Sequence, residues 1–376
     1  MKKLKKILVI SGSRAEYYIL KNIIEKLSVN FITQVLIHAG HLQNFYGNSH
    51  KNIERNKAKI IFSNTNIGKS NSENLIVKSM SKQMLIISKI IKKNKPECIL
   101  IVGDRTEALA AANVALIYQI PIAHIHGGEV TIGSIDEKIR HAISKISSIH
   151  FVTHKKYKHR LIQMGENKKF IKNIGSPSLE ILKKKKILST KDFIRKFNLK
   201  PKNFILISIN SENSKIKTKH IIQNTVKILN KNKNFTKVIT YPNPDINNSI
   251  ILETIQKIKK RKDYRVYKYL GDDYSQFLYH CKFIIGNSSS GIIEAPFYKK
   301  IFINIGKRQE GRELSKSVFR SNYSQKDINK NILLALKVKK VNCKNNFYKP
   351  NTSMNLVKFL KKLNFEKFKY KKFVDL

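Results

Sequence analysis

Short apolar runs alternate with longer amphipathic stretches along nearly the whole chain. Ile7–Ile10, Phe31–His38, Cys98–Val102, Pro121–Ile125, Ile149–Val152 and Phe170–Ile174 each read as a strand. They are apolar nearly throughout rather than at every second position, as strands covered on both faces are. Tyr17–Leu27, Glu107–Tyr118 and Asp136–Lys145 lie between them with helical spacing. Residues 183–203, KKKKILSTKDFIRKFNLKPKN, are charged and proline-terminated, and suit an inter-domain linker. The alternation resumes with Phe204–Ile209, Lys237–Tyr241, Arg265–Tyr269, Phe283–Ile285 and Ile301–Ile305. The pattern predicts an α/β protein with two doubly wound domains, over 1–185 and 200–350, and a ligand cleft between the carboxyl ends of their sheets. Residues 351–376 read as a basic amphipathic helix that packs on the body.

Composition changes this picture little. The net charge of +49 over 376 residues invites a nucleic-acid or anionic-membrane reading. The excess is almost all Lys, spread along the chain, with abundant Asn and Ile. Runs such as Lys183–Lys186 lack the interleaved aromatics of a single-strand groove. A genome-wide bias and a solvated basic surface explain it better, so neither nucleic acid nor membrane is expected as a partner. Cys98, Cys281 and Cys343 are far apart and lack CxxC spacing, which argues against a disulfide framework or zinc site and for a reducing cytosol. The start, MKKLKKILVISGS, has too short an apolar run for a signal peptide and reads as a first strand. No apolar run approaches the ~18 residues of a membrane span. A cytoplasmic protein is expected.

The chemistry-bearing residues collect just after the strands. GNSSSG (286–291) takes an apolar strand through Gly286 and two hydroxyls into a helix, and a helix N-terminus offers unpaired N–H groups to an anion. Glu294 follows within that helix, where a carboxylate can bridge ribose hydroxyls. Arg308 and Arg312 follow the next strand and can supply cationic forks for phosphate. Taken with Ser288 and Ser289, the set reads as a nucleoside-diphosphate seat; the plainer alternative is a Ser-capped helix beside a basic loop.

In the first half, Arg14 sits in the turn GSRAEY, Asp104 in GDRTEA, and Glu129, Asp136, Glu137, Arg140 and His141 crowd HGGEVTIGSIDEKIRH. Asp104, Glu129 and Asp136 are expected to converge, which is how an acid and a base come to coexist near neutral pH. Taken singly, Asp104 reads equally as a helix cap, and Asp136–Arg140 as a surface pair four residues apart. TYPNPD (240–245) offers Asn243 or Asp245, or simply a rigid turn. No metal-binding cluster is visible and no cofactor is expected.

In order, GSRAEY, GDRTEALAAANVALIYQIPIAHIHGGE, GSIDEKIRHAISK, TYPNPD, GNSSSG and GKRQEGRE resemble the hydrolysing UDP-N-acetylglucosamine 2-epimerases across positions 5–320. The resemblance implies a GT-B fold, two Rossmann-like domains with a cleft and a C-terminal helix returning to the first. It implies UDP on the second domain, held by Ser288, Ser289, Glu294 and Arg308, with Arg14 reaching from the first. It places the catalytic acids on Asp104, Glu129 and the Asp136 region. The implied reaction eliminates UDP with the sugar's C2 proton, then hydrates the glucal with inversion at C2. One departure stands out: where the family usually has His after the first strand of the second domain, this chain has Asn210 and Ser211. That points to a subfamily with a different sugar, such as a UDP- or GDP-linked 2,4-diacetamido-2,4,6-trideoxy sugar. A GT-B glycosyltransferase and a non-catalytic nucleotide-sugar sensor are the other readings. The expected partner is a nucleotide-sugar substrate, and the expected assembly a homo-oligomer, dimer or tetramer.

Overall fold

The structure is a computed structural model that describes residues 4–42, 58–63, 73–132, 134–243 and 246–375. Asp245 lies outside them. The chain divides into two compact units. The first comprises Met1–Glu129, Ile135–Ile181 and Phe347–Leu376, and the second Val130–Ser134 and Leu182–Asn346.

The first unit holds β1 (Lys6–Ser11), β2 (Ile32–Ile37), β3 (Lys59–Phe62), β4 (Cys98–Val102), β5 (Ile122–Ile125), β6 (Ile149–Val152) and β7 (Ile171–Asn173). They form one parallel sheet in the order β3-β2-β1-β4-β5-β6-β7. Alternate residues of β1 feed two cores. Ile7 and Val9 meet Leu20, Ile23 and Leu27 on one face, while Leu8 and Ile10 meet Ile87, Ala108 and Ala111 on the other. Burial of both faces explains why the strand reads as a continuous apolar run. The helix Arg14–Asn30 starts with a capping box: Glu16 N donates to the Ser13 hydroxyl at 3.3 Å, and Ser13 N to Glu16 Oε2 at 3.1 Å.

The end of the chain completes this unit. The helix Thr352–Lys362 packs on Arg14–Asn30, and Leu356, Val357 and Leu360 join the core of Leu20 and Ile23. Each such side chain contributes roughly 1.5–3 kcal/mol by leaving water. Ser353 N donates to Glu180 Oε2 at 3.0 Å, and Lys371 Nζ donates to Glu166 Oε1 at 2.7 Å. Glu166 is itself buried and also meets His150 Nε2 at 2.9 Å.

The second unit holds β8 (Phe204–Ser208), β9 (Thr236–Thr240), β10 (Tyr264–Tyr267), β11 (Ile284–Gly286), β12 (Phe302–Ile305) and β13 (Val318–Ser321), also all parallel, in the order β10-β9-β8-β11-β12-β13. Both sheets therefore reverse their winding direction beside the first strand, at β1/β4 and at β8/β11. The edge strands β3 and β13 were not anticipated. Their residues are largely half-exposed, so they lack the apolar runs of the central strands. The stretch expected as a linker contains the helix Thr190–Phe197, capped by Ser189, whose Phe193 is fully buried against Phe204 and Phe277. One aromatic anchor builds that charged segment into the second unit. Among the described residues no helix is long and apolar enough to cross a membrane.

Gly286 closes β11 with φ +146°, where an added Cβ would land on the Ser208 carbonyl oxygen of β8. Gly286→Ala must part those two strands or leave its backbone region. We expect it to lose about 2 kcal/mol or more in urea unfolding; an unchanged midpoint would contradict this packing.

Candidate functional site

Each unit carries polar side chains at the strand ends beside its switch point, where open α/β sheets bind ligands. In the first unit, Asp104 follows β4 and forms an ion pair with Arg140. Arg140 does not lie on the surface: it is buried on the inward face of the helix Asp136–Ile146, with Ile139, Ile143 and Ser144. Ser144 Oγ lies 3.2 Å from His124 Nδ1, and His124 Nε2 lies 2.7 Å from the Gly103 carbonyl, so that helix is fastened over the ends of β4 and β5. Burial pushes the His124 imidazole down to about 3. Asp136 opens the helix, half-buried, and Glu137 meets His141 at 3.4 Å.

Glu129 follows β5 and is 1% exposed. Its Oε1 lies 2.6 Å from His126 Nδ1 and accepts from the Thr153 hydroxyl at 2.9 Å. Two left-handed residues make this turn, His126 (φ +70°) and Gly128 (φ +72°). A Cβ on Gly128 would come 2.5 Å from the Tyr157 carbonyl oxygen. The acids are thus divided between a guanidinium partner for Asp104 and an imidazole partner for Glu129. Arg14, half-buried, is the first residue of the helix that follows β1.

Sequence reasoning passed over several buried polar groups here. Glu16 is pushed up to about 7, first by burial and then by the neighbouring Glu107, with Arg105 opposing. His38, after β2, is pushed down to about 4 by burial, and neither ring nitrogen has a hydrogen-bond partner. His126 stood in the motif already singled out; its spacing of three from Glu129 was the available signal.

In the second unit, Ser288 caps the short helix Ser289–Ile293, and Ser288, Ser289 and Ser290 are half-buried. Ser290 Oγ lies 3.1 Å from Ser288 Oγ and 2.6 Å from the Tyr274 hydroxyl. Glu294 is buried at the end of this helix; Arg308 and Arg312 are buried after β12. Asn287 ties the neighbouring loops together. Its Oδ1 accepts from Asn210 N at 2.7 Å, and its Nδ2 donates to Asn210 O at 2.9 Å and Glu212 Oε1 at 3.0 Å. Gln309 Nε2 reaches the Asn287 carbonyl at 2.8 Å. Burial pushes the Glu212 carboxyl up, opposed by Asn287 and by the nearby Arg308. Asn210, where a His was expected, uses its Oδ1 to accept from Asn243 N at 3.0 Å. That oxygen is committed to holding the β9 loop. Glu212, Asn287 and Gln309 were missed, because Asn and Gln in loops carry no distinctive spacing.

Two parallel doubly wound units with polar strand ends place the chain in the GT-B class. It belongs to the UDP-N-acetylglucosamine 2-epimerase family, whose model matches residues 25–361. Among relatives, a GDP/UDP-N,N'-diacetylbacillosamine 2-epimerase (hydrolyzing) of Campylobacter jejuni is 35% identical over 335 residues, covering 86% of each chain. A UDP-N-acetylglucosamine 2-epimerase of Neisseria meningitidis is 29% identical over 383 residues, covering 99% of this chain and 100% of the other. The crystal structure of UDP-GlcNAc 2-epimerase from Neisseria meningitidis, bound to UDP-GlcNAc, superposes with a TM-score of 0.77 at 19% identity, covering 95% of this chain and 100% of that one. The chain is therefore a nucleotide-sugar 2-epimerase by family.

The buried Glu16 gives a signed test. Its folded value of about 7 lies above the ordinary 4.5, so its stability contribution is full below pH 4.5 and is lost as pH rises through 7. At about 1.36 kcal/mol per pH unit, that rise corresponds to a loss on the order of 3 kcal/mol. Glu16→Gln should therefore unfold like the wild type at about pH 4 and be the more stable of the two at about pH 8. Equal stability at pH 8 would show that the carboxylate is not disfavoured.

Proposed function

We propose that the protein is a hydrolysing 2-epimerase that converts UDP-N-acetylglucosamine to N-acetylmannosamine and UDP, within sialic-acid-type sugar synthesis for surface polysaccharide. The observation that carries this reading is the acidic set of the first unit, Asp104 with Arg140 and Glu129 with His126. A glycosyltransferase or a nucleotide-sugar sensor needs the anion seat but has no use for paired proton-transfer groups.

In this reading the Asp104 carboxylate takes the C2 proton. The C–H electron pair becomes the C1=C2 bond, and UDP leaves from C1. Charge on the departing diphosphate is stabilised by Arg308, by Arg14 and by the helix start at Ser288–Ser289, while Glu294 holds the ribose and Asn243 borders the seat. A second group, Glu129 or Asp136, then supplies a proton to the opposite face of C2 as water adds at C1. No step calls for a metal or a cofactor.

One observation favours a second substrate. The chain is 35% identical to the diacetylbacillosamine enzyme and 29% to the N-acetylglucosamine enzyme. A UDP- or GDP-linked 2,4-diacetamido-2,4,6-trideoxyglucose is accordingly the alternative, with the same chemistry at C1 and C2. Incubating the protein with each nucleotide sugar and no acceptor, followed by NMR, tests both. Released nucleoside diphosphate with a C2-inverted free sugar supports the epimerase and names the sugar. Tight UDP binding without release overturns it.

Asp104→Asn should lower formation of the inverted sugar by ~10²–10⁴ while UDP affinity stays within a few-fold; wild-type turnover would remove Asp104 from the mechanism. Arg308→Ala should weaken UDP and pyrophosphate alike, by roughly ten- to a hundredfold in calorimetry, as loss of a charged hydrogen bond does. Glu294→Gln should weaken UDP but not pyrophosphate. Equal loss of both ligands would move Glu294 off the ribose.

A further inference from the structure

His126, at the β5 end, carries a ring nitrogen for which the fold supplies no partner. Its backbone is left-handed, at φ +70°, in a region that a non-glycine residue occupies at a cost. Its side chain is 8% exposed, and Nε2 is buried without a hydrogen-bond partner. An unpaired polar atom in such surroundings is normally filled by a partner or by water. The other nitrogen is fully engaged: Nδ1 faces Glu129 Oε1 at 2.6 Å, and Thr153 donates to that same oxygen at 2.9 Å. A carboxylate on Nδ1 fixes the ring's orientation and leaves Nε2 as the nitrogen that can exchange a proton. Glu129, 1% exposed and held from both sides, is better placed to align a histidine than to reach a sugar itself.

We propose that His126, in place of Glu129 or Asp136, is the proton donor of the second half-reaction, with Glu129 as its positioning residue. This rests on the epimerase reading above. The imidazolium Nε2–H bond breaks, and the C1=C2 π pair of the glucal takes that proton to form the new C2–H bond. Water closes on C1, giving the hydroxyl there and releasing its spare proton to solvent, from which the imidazole recharges. Asp104 acts in the first half-reaction and His126 in the second, so two different groups can serve the two faces of C2 between which inversion moves the proton.

The test follows UDP release and sugar products separately, by chromatography and NMR in D₂O, for the wild type, His126→Asn and Glu129→Gln. Asn is chosen because it tolerates a left-handed backbone. The wild type should release UDP with a C2-deuterated, inverted sugar. His126→Asn should still release UDP but yield the 2-acetamidoglucal, with inverted sugar reduced ~100-fold or more. Glu129→Gln, which keeps the histidine, should retain part of the inverted sugar that His126→Asn loses, and His126→Gln repeats the test if His126→Asn fails to fold. Inverted sugar formed by His126→Asn at the wild-type rate would show that Nε2 merely holds a water, and would overturn the proposal. So would loss of UDP release together with the sugar in a variant that melts normally, because His126 would then act in the elimination. If the wild type releases no UDP from the N-acetylglucosamine or diacetamido substrates, the functional reading itself fails, and this inference with it.

Discussion

The structure depends on one constraint, the pairing of consecutive parallel strands through crossovers on both faces of a sheet. A parallel strand cannot turn back on itself, so each connection crosses a face and covers it. In both sheets the winding reverses beside the first strand, between β1 and β4 and between β8 and β11. There the adjacent crossovers diverge and leave the strand ends uncovered. The ion pair of Asp104 and Arg140 and the Asn287 network stand at those ends. The chemistry is positioned by the topology before any individual loop is considered.

The two units meet this constraint with different side chains. In the first, the open ends carry ionisable side chains: Asp104, Arg140 and Glu129, each held by a partner on a neighbouring element. In the second, neutral amides do the fastening. Asn210, Asn287 and Gln309 join the ends of β8, β11 and β12, and Asn210 extends the link to the β9 loop through Asn243. Amides can fix backbone at close range without carrying charge beside a ligand, which leaves Arg308 and Lys217 as cations near Glu212. In the proposed reaction this separation would divide proton transfer from anion binding.

Much of this was legible from residue patterning. Cys98–Val102 and Ile149–Val152 were read as strands with their observed limits, because burial on both faces leaves a run with no polar interruption. β3 and β13 escaped because edge strands are half-exposed and need no such run. The helix Thr190–Phe197 escaped because its burial rests largely on Phe193 among lysines. Asp104, Glu129 and Arg140 stood out in the sequence, but their pairing did not. The i, i+4 rule joins Arg140 to Asp136, whereas the fold turns Arg140 inward to Asp104. Local spacing describes neighbours along a helix, and a charge buried at a strand end takes its partner from a different element. The role of Asn210 was hidden for the same reason: its side chain answers to the backbone of Asn243, which is remote in sequence.

The helix Thr352–Lys362 has a consequence for how the protein is made. It supplies Leu356, Val357 and Leu360 to a core founded on Ile7, Val9 and Leu20, so the unit built first is finished last. At translation rates of about 5–20 residues per second, roughly 9–36 s pass between synthesis of residue 181 and of Lys362, which ends that helix. Through that interval the apolar flank of Arg14–Asn30 waits on the nascent chain without its cover. The same sequence order that gives the mature unit its closing helix exposes the growing one to chaperones and to wrong partners.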